Sequence, residues 1–390
     1  MNSFLCIGLS LLIGIFMGQL MNMLKIPAVA GYIIAGLITG ISGLKIIDSN
    51  MIENLSFLSN IALSIIAFNI GSELKVSTLK KLGKSIFIIA VCEAFGAFIL
   101  VTGVMLLMKL DISTAIILGA VSSATAPAAT VMVIRQYKAK GPLTSTLLGV
   151  VAVDDAICLM IYAVASAIAK VFIKHQTITF YKVAIHPLME ISFSLIAGAI
   201  CGILMAYLIK KAKTEAELLA FILSIILLIS GIAQKFDLSA LLCSMAMGVM
   251  VSNVSSNSRK AFSIVDNFSP PIITLFFILA GSRLDVSLLP HIGVIGIAYL
   301  VFRIIGKVAG ASIGGIISKS PKVVTKNIGL GLLSQVGVAI GLAISVSNDF
   351  SSSNLGQVVI TILLATTIIT EIIGPIATKS AIIRADEVNL

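Results

Sequence analysis

Two adjacent carboxylates, Asp154 and Asp155, lie in the middle of the apolar run VVAVDDAICLMIYA at 150–163. An acidic residue at the centre of a lipid-spanning helix costs roughly 2.5–3.5 kcal/mol on insertion scales. Neighbouring helical positions point about 100° apart, so one carboxylate can face a cavity while the other faces a helix. Carboxylate oxygens bind small cations and also accept protons. The pair therefore predicts a cation and proton site at mid-membrane. The alternative, an interfacial pair at a helix end, does not fit the apolar residues on both sides.

Two basic residues also interrupt an apolar run, YLVFRIIGKVAGASIGG at 299–315. Arg303 and Lys307 are four residues apart and share one face of a helix. Cations inside a span almost always meet acids. For Arg303, snorkelling from a helix end is the alternative. The acids available inside apolar segments are Asp154, Asp155, Glu93 and Glu371.

Two further segments predict helices that break at mid-membrane. In SSATAPAATV (122–131), Pro127 removes a backbone donor and clashes with the preceding turn. Freed carbonyls, together with the hydroxyls of Thr125 and Thr130, could complete the coordination of an ion in a cavity. The second segment, GLLSQVGVAIG (331–341), combines three glycines with polar residues. An ordinary proline kink and a glycine packing face are the alternatives. The remaining polar residues predicted to line the two breaks are Ser123, Ser334 and Gln335.

The composition is that of a membrane protein with many spans. Hydrophobic residues make up 58% of the chain, charged residues 11%, and the mean hydropathy is +1.12. The net charge of +10 is explained by cytoplasmic loops, so no nucleic-acid partner is predicted. The cysteines are scattered, and His175, His186 and His291 lie near loops. We therefore predict neither a cofactor nor an enzyme, and we place the chain in the plasma membrane of a bacterial-type cell.

The hydropathy pattern predicts about thirteen transmembrane helices in an all-α protein. Their approximate bounds are 3–22, 27–44, 54–73, 84–108, 113–136, 142–170, 188–209, 216–233, 238–253, 269–282, 290–318, 325–347 and 356–378. Loops after odd-numbered helices hold 18 lysines and arginines, against 7 on the opposite side. The positive-inside rule then puts the N-terminus outside and the C-terminus in the cytoplasm.

The chain also repeats itself. GSELKVSTL (71–79) and GSRLDVSLL (281–289) match at six of nine positions, at an offset of 210. Near that offset IPAVAGYIIAG (26–36) aligns with LSALLCSMAMG (238–248), Glu93 with Arg303, and Ser123 with Ser334. The two copies are displaced by seven helices. Because seven is an odd number, the second copy must cross the membrane in the direction opposite to the first. Inverted repeats of this kind are typical of secondary transporters, whose substrate lies at the repeat interface. Chance similarity between glycine-rich helices is the alternative.

Four of these segments together resemble the monovalent cation:proton antiporter-2 family of the sodium/proton exchanger superfamily. IPAVAGYIIAG (26–36) looks like its first membrane motif, and GSELKVSTLKKLGK (71–84) looks like its Gly-x-Glu-Leu loop. VAVDDAICL (151–159) is similar to the Asp-Asp motif of electrogenic sodium/proton antiporters. GKVAG (306–310) is similar to the helix whose lysine pairs with the first aspartate.

The resemblance implies exchange of a monovalent cation, Na⁺ or Li⁺, for protons by alternating access. It implies that Asp155 binds Na⁺ or a proton, that Asp154 shares this site, and that Lys307 pairs with Asp154. Two broken, crossing helices belong to a core of about 85–170 and 290–379, which slides against a dimerising scaffold of about 1–84 and 188–289. Repeat one covers about 3–170, a linker helix about 188–209, and repeat two about 216–378. We expect a homodimer in the lipid bilayer, with the glycine-spaced run 31–40 allowing close helix approach.

Three other functions remain open at this point. A potassium/proton antiporter of the same family is the first, although the Asp-Asp pair favours an electrogenic sodium exchanger. A membrane sensor that keeps the fold without transport is the second, and the retained charges argue against it. A sodium-coupled organic-anion symporter is the third. We assign no definite role to the accessory charges Glu93, Arg303 and Glu371.

Overall fold

The structure is a computed structural model of the 390-residue chain. It describes residues 3–24, 28–74, 76–126, 130–131, 133–134, 137–173, 185–284, 287, 289–350 and 355–388. Within these residues the regular structure is helical throughout, as predicted for an all-α membrane protein. Pro127, predicted to line the first break, lies outside the described residues.

Sixteen described helices are labelled here in chain order. They are α1 Ser3–Met23, α2 Ala28–Thr39, α3 Ser49–Asn54, α4 Ser56–Glu73, α5 Val76–Leu107, α6 Ile112–Ser122, α7 Pro142–Ile173, α8 His186–Lys211, α9 Glu215–Lys235, α10 Ala240–Val254, α11 Ser258–Phe268, α12 Pro270–Ser282, α13 Leu289–Ile317, α14 Lys322–Asn327, α15 Gly337–Asp349 and α16 Leu355–Arg384. Helix α5 is interrupted at Gly83, whose φ of 80° is a conformation that only glycine adopts without strain.

By length and composition, seven described helices can cross a membrane, or up to nine if each bent pair is one span. The four shorter apolar helices Ala28–Thr39, Ser56–Ser72, Ile112–Ser122 and Ala240–Val254 fall within other predicted spans. The chain is thus a multi-pass membrane protein, and the number thirteen stays a prediction. The sequence analysis missed α11, which meets α12 at a bend of 51°, because its residues SRKAFSIVDNF are too polar for a hydropathy window.

Both predicted breaks coincide with interruptions of helical backbone. Helix α6 ends at Ser122, residues 124–126 have no regular structure, and helical backbone is present again at 130 and 131. In the second segment a 3-10 turn over Ile328–Leu332 follows α14, and residues 333–336 are unwound before α15 begins at Gly337. The halves on either side of this second break meet at 47°.

The described chain divides into two compact units. Unit 1 contains Met1–Ser56, Leu82–Cys158 and Thr274–Leu390, and unit 2 contains Phe57–Lys81 and Leu159–Ile273. In unit 2 a cluster of buried apolar side chains joins α4, α8, α9, α10 and α11, and includes Phe68, Met205, Ile226 and Met247. These bounds differ from those of the scaffold and core expected above, which stay a prediction.

The two units contain the same close helix contact at positions that the repeat alignment pairs. In unit 1 a Cβ on Gly36 of α2 would lie 2.1 Å from the Ile278 carbonyl oxygen and 2.9 Å from Gly281 Cα. In unit 2 a Cβ on Gly248 of α10 would lie 2.0 Å from the Phe68 carbonyl oxygen and 3.1 Å from Gly71 Cα. The alignment equates 36 with 248, 278 with 68 and 281 with 71. The two contacts thus involve residues that the predicted repeat pairs, and the repeat itself stays a prediction.

Unit 1 also contains a close crossing between α5 and α13, where Gly306, Gly310 and Gly314 face α5. A Cβ on Gly310 would lie 2.4 Å from the Cys92 carbonyl oxygen and 2.9 Å from Glu93 Cα. Backbone atoms cannot move aside as a flexible side chain can, so this face requires glycine. The contact brings Glu93 of α5 next to the Arg303 and Lys307 face of α13.

We predict that Gly310→Ala destabilises the protein and that Gly296→Ala, on the same helix, does not. A Cβ at 296 meets no atom within 4 Å, whereas one at 310 meets backbone. Overpacking costs about 1–3 kcal/mol, while alanine at an open helical site is neutral or stabilising. Thermal unfolding midpoints in detergent measure the difference, and equal midpoints would contradict the close crossing.

Candidate ion site at the crossing of two broken helices

The two breaks lie against one another in unit 1, and three hydrogen bonds between described residues join them. The Ala126 amide donates to the Ser334 carbonyl at 2.8 Å, and the Thr130 hydroxyl donates to the Gly331 carbonyl at 2.7 Å. The Gln335 side-chain amide donates to the Val121 carbonyl at 2.9 Å. These bonds connect residues about 200 apart in sequence, so the crossing predicted from two separate segments is a tertiary contact.

Arg303 binds the carbonyl ends of both broken segments. Its Nε donates to Ser122 O at 3.1 Å and its Nη2 to Ala124 O at 2.7 Å, both at the end of α6. On the other segment its Nη1 donates to Leu333 O at 2.7 Å and its Nη2 to Ser334 O at 3.4 Å. The last carbonyls of a helix have no intrahelical donor and carry partial negative charge. The guanidinium therefore satisfies both helix ends at once, through carbonyls rather than through the acid expected from the sequence.

Lys307, one turn further along α13, lies between two carboxylates. Its Nζ is 2.6 Å from Glu93 Oε2 and 3.3 Å from Asp154 Oδ2, and all three side chains are buried. It also donates to the Thr125 hydroxyl at 2.7 Å and to the Ser123 carbonyl. The pairing with Asp154 implied by the resemblance is present, yet Glu93 is the nearer acid. The cluster holds two carboxylates and one ammonium.

Asp155 follows Asp154 on α7, about 100° further around the helix. Both side chains are buried, with 7% of Asp155 exposed and 0% of Asp154. The first carboxylate thus faces Lys307 of α13, and helix geometry directs the second to another side of α7.

The remaining predicted residues occupy positions around this centre. The Thr125 hydroxyl accepts from Lys307, while the Ser123 hydroxyl donates to Ala120 O at 2.6 Å. Thr130 and Gln335 connect the two breaks, as described above, and the Ser334 carbonyl accepts from Arg303. Glu371 lies on α16 with 2% of its surface exposed.

Tyr299 was missed by the sequence analysis. It is fully buried, and its hydroxyl accepts from Gln335 Nε2 at 2.9 Å, which orients the amide that holds Val121. Tyr299, Arg303 and Lys307 are each four residues apart, so helical spacing alone places them along one face. That spacing was the available signal.

A model of the transmembrane sodium/hydrogen exchanger family matches residues 8–380. The chain belongs to this family. Its members are transporters and not enzymes, and the shared activity is exchange of a cation for protons.

Three curated relatives cover most of the chain at low identity. The ammonium/H⁺ antiporter subunit AmhT of Alkalihalophilus pseudofirmus is 25% identical over 88% of this chain and 83% of its own. The high-affinity Na⁺/H⁺ antiporter NhaS3 of Synechocystis is 24% identical over 75% and 72%. The probable Na⁺/H⁺ antiporter GerT of Bacillus cereus is 27% identical over 86% and 88%.

Among solved structures, the sodium proton antiporter MjNhaP1 from Methanocaldococcus jannaschii at pH 8 is similar in fold. Its TM-score is 0.79 over 98% of both chains, at 17% identity. At this identity the likeness concerns the fold alone.

We predict that Glu93 and Asp154 can substitute for one another as partners of Lys307. Glu93→Gln and Asp154→Asn each leave the lysine one carboxylate, so each should cost less than the roughly 3–5 kcal/mol that follows removal of a buried charge's partner. The double variant leaves Lys307 without a carboxylate partner and should therefore lose roughly 3–5 kcal/mol of stability. Thermal unfolding midpoints of the two single variants and the double variant test this.

The control adds Lys307→Met to the double variant. Removing the stranded ammonium should restore most of the lost stability, because the buried charge is then absent. A double variant no less stable than the single variants would show that Lys307 has a different principal partner.

Proposed function

We propose that this chain is a secondary antiporter that exchanges Na⁺ for protons through a carboxylate site centred on Asp155. The observation that carries the proposal is the buried group of Lys307, Glu93 and Asp154 beside the crossing of two broken segments. Charges are kept inside a membrane protein only where they act on an ion, a proton or one another. Family membership and the Na⁺/H⁺ antiporters among the relatives support the same activity.

In this proposal Asp155 holds a cation or a proton, one at a time. Competition for one carboxylate couples the two flows, because the cation can bind only after the proton has left. Hydroxyls and unwound carbonyls near the breaks complete the oxygen coordination of the ion. Alternating access then exposes the carboxylate to one side of the membrane at a time, with the N-terminus outside and the C-terminus in the cytoplasm.

A second candidate cation is favoured by one relative. AmhT is named as part of an ammonium/H⁺ antiporter, and NH₄⁺ resembles K⁺ in size and charge. The K⁺/H⁺ alternative is therefore retained.

Dequenching of a pH-sensitive dye in proteoliposomes, with Na⁺, Li⁺ and K⁺ added in turn, ranks the ions, and a response to K⁺ alone would favour this second candidate. A non-transporting sensor would give no response to any of them.

We also propose a homodimer, although the glycine run 31–40 does not support it. A Cβ on Gly31 would lie 2.4 Å from the Met17 carbonyl oxygen, and one on Gly40 would lie 2.4 Å from Ser282 Cα. These glycines allow close packing within the chain, on α1 and α12. The dimer therefore rests on the family resemblance alone.

We predict that Asp155→Asn abolishes exchange and leaves a folded protein, because an amide coordinates a cation weakly and cannot carry the proton. Na⁺-driven dye dequenching in proteoliposomes is the measurement. Asp111→Asn is the matched control: Asp111 caps α6 by accepting from the Thr114 amide at 2.8 Å, and asparagine caps equally well. Retained dequenching in Asp155→Asn would refute the assignment.

We predict that exchange is electrogenic. Lys307 has two acids, so it can leave Asp154 for Glu93 without losing its counter-charge, and a proton can then bind Asp154 during the cycle. Two protons would move for each cation. With the proton gradient clamped and K⁺ transport first excluded, a K⁺–valinomycin potential should change the Na⁺ flux. A flux indifferent to the potential would leave a one-for-one exchanger.

A further inference from the structure

The carboxylate of Glu387, which follows helix α16, lies at the N-terminal end of α7. Its Oε1 accepts from the Leu143 amide at 2.6 Å, and its Oε2 accepts from the amide and the hydroxyl of Thr144, each at 2.7 Å. The Glu387 carbonyl oxygen accepts from the Lys140 amide at 3.0 Å. Only 4% of Glu387 is exposed. These four hydrogen bonds, called the Glu387 link here, join the segment after α16 to the start of the helix that carries the adjacent aspartates.

The residues at the start of α7 cannot supply this cap themselves. The first amides of a helix have no acceptor within the helix, and a side chain at the N-cap position normally accepts from them. That position is Gly141, which has no side chain, and Pro142 has no amide hydrogen. The Ser145 amide donates to the Gly141 carbonyl at 3.0 Å. The two amides between Pro142 and Ser145 remain, and Glu387 accepts from both.

The absence of a side chain at Gly141 makes room for Glu387. A Cβ at 141 would lie 2.2 Å from Cδ, 2.5 Å from Cγ and 2.5 Å from Oε1 of Glu387. A capping side chain at 141 and the carboxylate of Glu387 therefore exclude one another. The chain leaves the local N-cap position empty and caps α7 from the end of α16.

The backbone after α16 turns Glu387 back towards α7. Asp386 has a φ of 58°, its amide donates to Ile383 O at 3.1 Å, and the Glu387 amide donates to Ile382 O at 3.2 Å. Two such bonds around a left-handed residue form a Schellman motif, which ends a helix. Aspartate adopts the left-handed conformation more readily than most residues. The end of α16 itself thus places Glu387, so the link joins two helices.

Both helices joined by the Glu387 link contact the second broken segment. Leu147 lies one turn into α7 beyond the capped amides, and a Cβ on Gly331 would lie 2.5 Å from its Cδ2. The Gly331 carbonyl accepts from the Thr130 hydroxyl at 2.7 Å, in one of the bonds between the two breaks. On α16, a Cβ on Gly374 would lie 1.9 Å from Ser334 Oγ. The second break therefore packs against both α7 and α16.

The adjacent aspartates and the Gly374 contact lie at similar distances from the link along the two helices. Asp154 is twelve residues after Pro142, or about 18 Å along α7. Gly374 is ten residues before Arg384, the last residue of α16, or about 15 Å along that helix. A shift between the linked ends of α7 and α16 would therefore move the aspartates relative to the second break.

We propose that Glu387 is a positioning residue for cation exchange. The Glu387 link holds α7 and α16 together, so that Asp155 keeps its place relative to the unwound carbonyls of the second break. This inference rests on the proposed function, in which those carbonyls and Asp155 share the cation. Ligands on two segments bind an ion well only while their separation is held fixed. Loss of the link should therefore weaken cation binding more than it slows turnover.

The test measures exchange and stability in Glu387→Ala and in the wild-type protein. Na⁺-driven dye dequenching in proteoliposomes gives the KM for Na⁺ and the maximal rate, and thermal unfolding gives the midpoint. We expect Glu387→Ala to raise the KM several-fold, to change the maximal rate less, and to lower the midpoint by a few degrees. If this variant fails to fold, Glu387→Gln replaces it. Glutamine keeps one acceptor oxygen and should raise the KM by a smaller factor.

The first control is the loss of an ordinary cap in the same unit. Asp111 caps α6 by accepting from the amide and the hydroxyl of Thr114, each at 2.8 Å, as Glu387 accepts from Thr144. The Asp111 cap is local in sequence and joins no second helix. Asp111→Ala should therefore lower the midpoint, as Glu387→Ala does, and leave the KM for Na⁺ unchanged.

The second control restores the cap of α7 without the link. Gly141→Ser is added to Glu387→Ala, since the three atoms nearest to a Cβ at 141 belong to the part of Glu387 that alanine lacks. Serine at the N-cap position accepts from the same amides. The midpoint should recover, whereas the KM for Na⁺ should stay raised. If the midpoint does not recover, the comparison with Asp111→Ala decides.

Three results would overturn the positioning role. They are a KM for Na⁺ that is unchanged in Glu387→Ala, a KM that Asp111→Ala raises equally, and a KM that Gly141→Ser returns to the wild-type value. In each case the Glu387 link serves stability alone. Exchange by the wild-type protein reports separately on the proposed function, so the two failures are distinguishable.

Discussion

The arrangement of unit 1 depends on one electrostatic constraint: two helices stop inside it, and their last carbonyls need donors. In lipid an unsatisfied carbonyl costs several kcal/mol, so broken helices persist only where protein supplies the missing bonds. Arg303 supplies them to both breaks from a single side chain. Once α13 carries buried cations, acids must lie opposite them, and Glu93 and Asp154 do so. The glycine contact at 310 follows from the same need, because it lets α5 come close enough for Glu93 to reach Lys307.

Arg303 and Lys307 make different contacts because their side chains differ in chemistry. The guanidinium is always charged and presents donors in a fixed planar fork, which suits four carbonyls on two segments. The ammonium of Lys307 is a compact point charge on a flexible stem, and it meets two acids, a hydroxyl and a carbonyl. Arg303 is therefore suited to hold the breaks together, and Lys307 to exchange partners. That division is the physical basis for proposing that charge moves with the cation.

The glycine contacts of the two units connect the sequence repeat to packing. Gly36 against Ile278 in unit 1 and Gly248 against Phe68 in unit 2 are similar close contacts, made by residues that the repeat alignment pairs. These two contacts favour the inverted repeat, which stays a prediction.

The sequence by itself determined the membrane class, the adjacent aspartates, the intramembrane cations and the two breaks. These features are local in sequence. Each is indicated by hydropathy, by a charged residue inside an apolar run, or by a proline or glycine there, within one or two helical turns. Helical spacing also placed Arg303 and Lys307 on one face. The same four-residue spacing, continued one step towards the N-terminus, also places Tyr299 on that face. The same hydropathy signal missed α11, because the residues of that helix are too polar.

Only the tertiary structure decided which groups meet. Glu93 is the nearest acid to Lys307, and Arg303 binds carbonyls, through contacts between residues up to 214 positions apart. Periodicity identifies the face of a helix but not the element packed against that face, because the packing depends on every other helix in the unit. The glycines at 31–40 illustrate the limit. Their spacing indicated close helix approach, and the fold alone determined that the approaching helices belong to the same chain.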